Sequence, residues 1–159
     1  MKIGFGFDVH RLVPEARLVL AGVEINYPLG LSGHSDADVL AHAVADAILG
    51  AMGEGDLGTH FPSSDPRWRD APGSALLEPI CRRITESGLR IGNVDTTLIA
   101  QEPRLAAFRS DIEKGLARML SLEPSRVNVK LKSADRLGSI GRGEGMAAYA
   151  VVLLIEQGA

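Results

Sequence analysis

The sequence predicts an α/β (α+β) fold: a single domain over residues 1–159, with one mixed β-sheet and helices packed on one face of it. Three patterns point there. Apolar residues recur at helical spacing across 35–52. Val127, Val129 and Leu131 alternate with Asn128, Lys130 and Lys132, as in a half-buried strand. From Met146 to Ile155 apolar residues run almost unbroken, which places that strand at the centre of a sheet or between subunits.

In chain order, residues 2–8 read as a strand and 17–25 as a second. Residues 26–33, with Pro28, Gly30 and Gly33, read as a loop. A helix should follow, with Ser35 as N-cap, Asp38 as a weak capping box and Gly53 as its stop. Val39, Leu40, Ala43, Val44, Ala47 and Ile48 form its core stripe, and Asp38, His42 and Asp46 share the opposite face. Residues 53–72 form a long Gly/Pro/Asp loop, of a length that usually carries function. A helix over 74–86 ends before Gly88, and Pro79 inside it predicts a kink or a later start. A strand over 91–100, a helix over 105–120, the strand over 127–132, a glycine-rich turn over 138–145 and the apolar strand complete the order ββααβαββ.

Composition narrows the function. Hydrophobic content of 45% and charged content of 23% are those of a soluble globular protein. A net charge of -3 gives no general cationic field and disfavours nucleic acid as a partner. The lone Cys81, amid Leu76, Leu77 and Ile80, reads as a small buried hydrophobe. The opening Met1-Lys2-Ile3-Gly4 enters a strand directly, and no apolar run is long enough to span a membrane, so a cytoplasmic location is expected.

Asp8-Val9-His10 and His42 offer one carboxylate and two imidazoles, a ligand set for zinc or a similar divalent ion. Residues two apart on a strand face the same way, so Asp8 and His10 can grip one ion, and three protein ligands leave a position open for chemistry. A polar strand end beside an ordinary helical histidine is the structural alternative. His34-Ser35-Asp36 precedes the helix, where free N–H groups and the dipole suit a phosphate, or where they form a plain capping motif. Asp46, one turn beyond His42, can orient its imidazole or simply face water. In the long loop, Asp56 and Asp65 can accept from ligand hydroxyls or serve as turn formers. Lys132-Ser133-Ala134-Asp135 puts a cation, a hydroxyl and a carboxylate at a strand end, which suits a phosphate with bound magnesium. Arg142 among Gly141, Gly143 and Gly145 makes an anion nest, or an Arg142/Glu144 pair in a turn.

The set as a whole resembles one family. Gly6-Phe7-Asp8-Val9-His10, His34-Ser35-Asp36-Ala37-Asp38, His42, Gly55-Asp56-Leu57-Gly58, Phe61-Pro62 and Gly141-Arg142-Gly143-Glu144-Gly145 occur in the order and spacing of the 2-C-methyl-D-erythritol 2,4-cyclodiphosphate synthase family of the non-mevalonate isoprenoid pathway. The resemblance covers the chain from Met1 to about Ile155. It implies a homotrimer around a threefold axis, with active sites between subunits. It implies zinc on Asp8, His10 and His42, and magnesium or manganese on Asp135 and the substrate diphosphate. It places the diphosphate near His34 and Ser35 and the methylerythritol part near Asp56, Gly58, Phe61 and Ser63, and it counts Val9, Leu57, Pro62, Ser64 and Asp65 among the substrate-binding residues. The nucleotide pocket it implies is Ala100, Gln101, Glu102, Pro103, Arg104, Leu105 and Ala106, with Lys132, Ser133, Ala134 and Asp135, from the adjacent subunit. His34 and Ser133 would stabilise the transition state, and Arg142 and Ser139 would face the axis, where some members hold an isoprenoid diphosphate. The chain departs from the family at three positions: Ser63 and Asp135 replace a usual Asp and Glu, and Ser139 replaces a bulky residue.

The implied reaction is cyclisation of 4-diphosphocytidyl-2-C-methyl-D-erythritol 2-phosphate with loss of CMP. Its nucleophile belongs to the substrate, so the protein needs only to position groups and neutralise charge. Two other classes compete with it: a zinc phosphodiesterase or pyrophosphatase using Asp46 or Asp56 as base, and a non-catalytic trimeric binder of isoprenoid diphosphates through Arg142.

Overall fold

In a computed structural model, which describes residues 1–158, a five-stranded sheet runs in the order β4-β1-β7-β5-β6. Its strands are β1 (Lys2–Pro14), β4 (Leu29–Ser32), β5 (Leu89–Ile99), β6 (Val127–Lys132) and β7 (Gly145–Glu156). β7 pairs antiparallel with β1 and β5, β1 antiparallel with β4, and only β5 and β6 run parallel. The mixed sheet is therefore as expected, and the apolar last strand is its centre. Asp8 and Leu98 both stand opposite Ala148, so the middle of β1 and the end of β5 lie level with the start of β7.

Two local expectations change. The strand expected over 17–25 is a hairpin, β2 (Leu18–Leu20) and β3 (Val23–Ile25), because Ala21 and Gly22 adopt φ of 49° and 71°. Two successive positive φ values fit the tight turn whose twist matches antiparallel strands. The loop expected over 26–33 contains β4, whose Leu31 is buried and pairs with Leu12 of a β1 longer than expected.

The main helices are α1 (Val39–Met52), α3 (Gly73–Glu86) and α4 (Arg109–Met119); α2 (Leu57–His60) and α5 (Gly138–Gly141) are single turns. α3 runs through Pro79 without a later start. α1 lies on β1 and β7. A Cβ on Gly4 or Gly6 would collide with the carbonyl oxygens of Ala47 or Ala43, so these glycines let the helix backbone approach the strand. Eleven residues of α1, His42 among them, are buried, so the helix has no solvated face to receive Asp38 and His42. The opposite face of β1 and β7 is bare: Ile3, Phe5, Phe7, Val9, Tyr149 and Val151 are exposed, and the Phe7 and Tyr149 rings lie 4.9 Å apart.

Candidate active site

β1 delivers Asp8 and His10 to the face on which α1 packs, and α1 delivers His42 between them. Asp8 Oδ2 lies 2.9 Å from His10 Nε2 and 3.0 Å from His42 Nδ1, and the two ring nitrogens are 3.2 Å apart. Ligand atoms on a tetrahedral zinc stand roughly 3.3 Å apart at bond lengths of about 2.0–2.1 Å, so these atoms are already spaced for one small ion. Their outer partners complete the fit. His10 Nδ1 donates to the Ser32 carbonyl at 2.7 Å, which turns Nε2 towards Asp8. His42 Nε2 faces Ser35 Oγ at 3.0 Å, which turns Nδ1 towards Asp8. Fixing a ring through its far nitrogen is how proteins orient metal-binding imidazoles. The residues can hold a divalent metal ion.

Electrostatics agree. Burial works against the Asp8 charge, but hydrogen bonds from His10 and His42 and their charges hold its carboxyl far below the usual carboxylate range. Burial also works against a charged His10, yet the Asp8 hydrogen bond and charge, with the Ser32 carbonyl, raise its proton affinity. In both cases the site draws positive charge inward.

The segment before α1 differs from expectation. The helix starts at Val39 with Asp38, not Ser35, as N-cap. Fully buried Asp38 accepts from Ala41 N and from Gly22 N, tying the helix to the β2–β3 turn. Asp36 accepts from Asp38 N and from Gly73 N, tying it to α3. His34 and Ser35 are left as side chains facing a cavity. His34 is clamped there: its carbonyl accepts from Asp70 N, and its Nε2 faces the Asp65 carbonyl at 3.1 Å.

That cavity, of about 350 Å³, is lined by Asp8, His10, His34, Ser35, His42, Asp46, Asp56, Leu57, Gly58, Phe61, Ser63, Trp68 and Leu76. It gathers most of the residues expected for the metal and the methylerythritol part. Val9 instead projects onto the bare outer face of β1. Pro62, Ser64 and Asp65 shape the loop without lining the cavity; Asp65 caps a 3-10 turn and binds the Arg67 guanidinium at 2.6 Å. Asp46 accepts from Leu57 N at 2.7 Å and so positions α2, with no hydrogen bond to His42. Asp56 accepts from the Thr59 N–H and hydroxyl. The two carboxylates that a hydrolytic reading would use as base are thus engaged in local structure.

A second cavity of about 600 Å³ opens beyond β5 and β6. Ala100, Gln101, Glu102, Pro103, Arg104, Leu105 and Ala106 form one wall; Lys132, Ser133 and Asp135 line the other. Ala134 lies in the turn, its carbonyl accepting from Leu137 N. Ser133 Oγ donates to Asp135 Oδ1 at 2.8 Å. The two cavities share no lining residue. Ser139 and Arg142 line neither, and Arg142 pairs with Glu144 at 2.6 Å within the glycine-rich turn. Trp68, Leu76, Leu98, Leu131 and Arg136 join the linings without any sequence signal, since only the chain's folding brings them there.

Residues 1–155 match the YgbB family model. The chain belongs to this family. It is 51% identical, over 97% of its length and 94% of the relative's, to the 2-C-methyl-D-erythritol 2,4-cyclodiphosphate synthase of Syntrophotalea carbinolica. With that of Geobacillus kaustophilus it shares 53% over 96% of the chain and 97% of the relative. Among solved structures, the bifunctional IspDF of Campylobacter jejuni superposes with a TM-score of 0.93 at 41% identity; this chain is covered to 98% and spans 42% of that longer protein. IspF of Plasmodium falciparum in complex with CDP gives a TM-score of 0.87 at 34% identity, covering 98% of this chain and 96% of that one.

Proposed function

We propose that the chain converts 4-diphosphocytidyl-2-C-methyl-D-erythritol 2-phosphate to 2-C-methyl-D-erythritol 2,4-cyclodiphosphate and CMP, as a cytoplasmic homotrimer of the non-mevalonate isoprenoid pathway. The observation that carries the reading is the convergence of Asp8, His10 and His42 inside a 350 Å³ cavity, in a chain about half identical to synthases of that name. In the reaction an oxygen of the 2-phosphate attacks the β-phosphorus. The bond from that phosphorus to the α-phosphate oxygen breaks, and CMP leaves with the electron pair.

Each cavity has a part of the substrate to hold. The polar and aromatic walls of the smaller one, with Asp56, Ser63 and Phe61, suit the methylerythritol hydroxyls and methyl group. The larger one, walled by Ala100 to Ala106 and by Lys132, suits the cytidine phosphate. His34, fixed through Nε2, would hydrogen-bond the charge that develops on the transferred phosphoryl group, as would the Ser133 hydroxyl once its one proton turns from Asp135 to the substrate. Asp8, His10 and His42 would hold a zinc ion and Asp135 a magnesium or manganese ion, which when bound would supply Lewis-acid polarisation and charge neutralisation at the diphosphate. The separation of the two linings supports a site shared between neighbouring subunits, and the bare stripe of Phe5, Phe7, Tyr149 and Val151 is the surface such an assembly buries. An isoprenoid diphosphate near Arg142 and Ser139 on the axis belongs to the same reading.

Phosphorus NMR of the product tests it. A cyclic diphosphate beside CMP is expected. Two open-chain phosphates would instead establish hydrolysis.

A further inference from the structure

We infer that Gln101 is a positioning residue that locks the turn carrying Ser133 and Asp135 and thereby prepares the second metal position. This rests on the function proposed above. Asp135 and Arg136 hold φ of 48° and 64°, two consecutive residues in the left-handed region, neither of them glycine. L-residues adopt that conformation at a cost and keep it only where the surroundings hold them. Two contacts do so. Gln101 Oε1 accepts from Arg136 N at 3.0 Å across the mouth of the larger cavity. On the other side Gly141 packs against the Arg136 backbone so closely that a Cβ there would collide with it. The Leu137 N–H closes the turn on Ala134 O at 2.8 Å.

The consequence lies at the next residue back. With the turn in this shape, the Asp135 carboxylate sits over Ser133 Oγ at 2.8 Å. An Asp reaches one methylene less far than a Glu, so its oxygens can meet a cation on the diphosphate only if the backbone beneath them is fixed. Gln101 fixes it from the wall that holds the nucleotide, which links nucleotide binding to cation binding.

Gln101→Met removes the acceptor at nearly constant length, whereas Gln101→Glu keeps one. Manganese binding to the protein–CDP complex, followed by electron paramagnetic resonance, should weaken about tenfold in Gln101→Met, the loss expected for one hydrogen bond. It should hold at the parent level or tighter in Gln101→Glu. Zinc content, which a general folding defect would move, should stay at the parent value in both, and the melting temperature of Gln101→Met should fall by no more than the few degrees that one hydrogen bond contributes. Parent-like manganese binding in Gln101→Met overturns the inference, as does an equal loss in Gln101→Glu. Should Gln101→Met fail to fold, hydrogen exchange on the parent protein decides: the Arg136 amide should be protected, and exchange at the rate of a free loop overturns the clamp. If the parent itself fails to bind CDP, the proposed function has failed, and this inference falls with it.

Discussion

Ser35 holds no metal in this arrangement, yet its removal should weaken metal binding by a calculable amount. Its hydroxyl oxygen stands 3.0 Å from His42 Nε2 and sets which nitrogen of that buried ring faces Asp8. Loss of such an outer partner typically costs 10–100-fold in metal affinity. Here a substitute is near: Asp36 Oδ1 lies 4.0 Å from the same nitrogen. A small swing of the ring would bring the carboxylate into contact, and a charge-assisted bond replaces a neutral one well. Asp36 is already committed to Asp38 N and Gly73 N, so the swing strains the start of α1. The two effects put Ser35→Ala at the low end, about tenfold in the zinc dissociation constant, or roughly 1.4 kcal/mol. The assay is competition against a chromophoric chelator without substrate, so that any phosphate contact of Ser35 stays out of the measurement. Affinity within twofold of the parent would refute the tautomer argument. Complete loss of zinc would show that Asp36 gives no support.

The remaining predictions concern pH, packing and assembly. Because Asp8 raises the proton affinity of His10, zinc binding should begin to weaken above the ordinary imidazole value of about 6.5 as pH falls, read as zinc release against pH. Without metal, the depressed Asp8 contributes stability above about pH 4 that is lost as pH falls further. The raised His10 contributes below about pH 6.5 and loses this as pH climbs through its raised value, so the metal-free protein should melt highest between these limits. Gly6→Ala should lift α1 off β1, at about 1–3 kcal/mol or several degrees of melting temperature, with zinc content falling more than in a surface variant of equal stability. His42→Ala and Asp135→Ala chains, each inactive alone, should regain roughly a quarter of parent activity when refolded together, since about one interface in four then pairs two intact halves. No recovery in trimers shown by mass spectrometry to be mixed would place both halves in one subunit.

Much of this site is legible in the chain because its chemistry is local. Asp8 and His10 are two apart on one strand, so the alternation of side chains puts them on one face before any packing is known. β6 and the apolar β7 follow from their own patterns, and the stop of α1 follows from Gly53, whose φ of 74° closes the helix. The convergence of motifs also identified the family from residues alone. Elsewhere local signals misled. Ser35 resembles an N-cap, but buried Asp38 takes that place because it also holds the β2–β3 turn. Asp46 lies one helical turn from His42, yet its carboxylate holds Leu57 N.

Tertiary structure decided the rest. Nothing in the spacing of Gly4 and Gly6 announces that they admit the carbonyls of Ala47 and Ala43, yet that approach carries His42 to within 3.0 Å of Asp8. Trp68 and Leu76 join the cavity, and Gln101 reaches Arg136, only once segments far apart in sequence are packed together. Short-range patterns fix which way a side chain leaves its own backbone, because sterics between neighbours set strand and helix geometry. What that side chain meets depends on which distant backbone can come close, and here two missing methyl groups on β1 decide it.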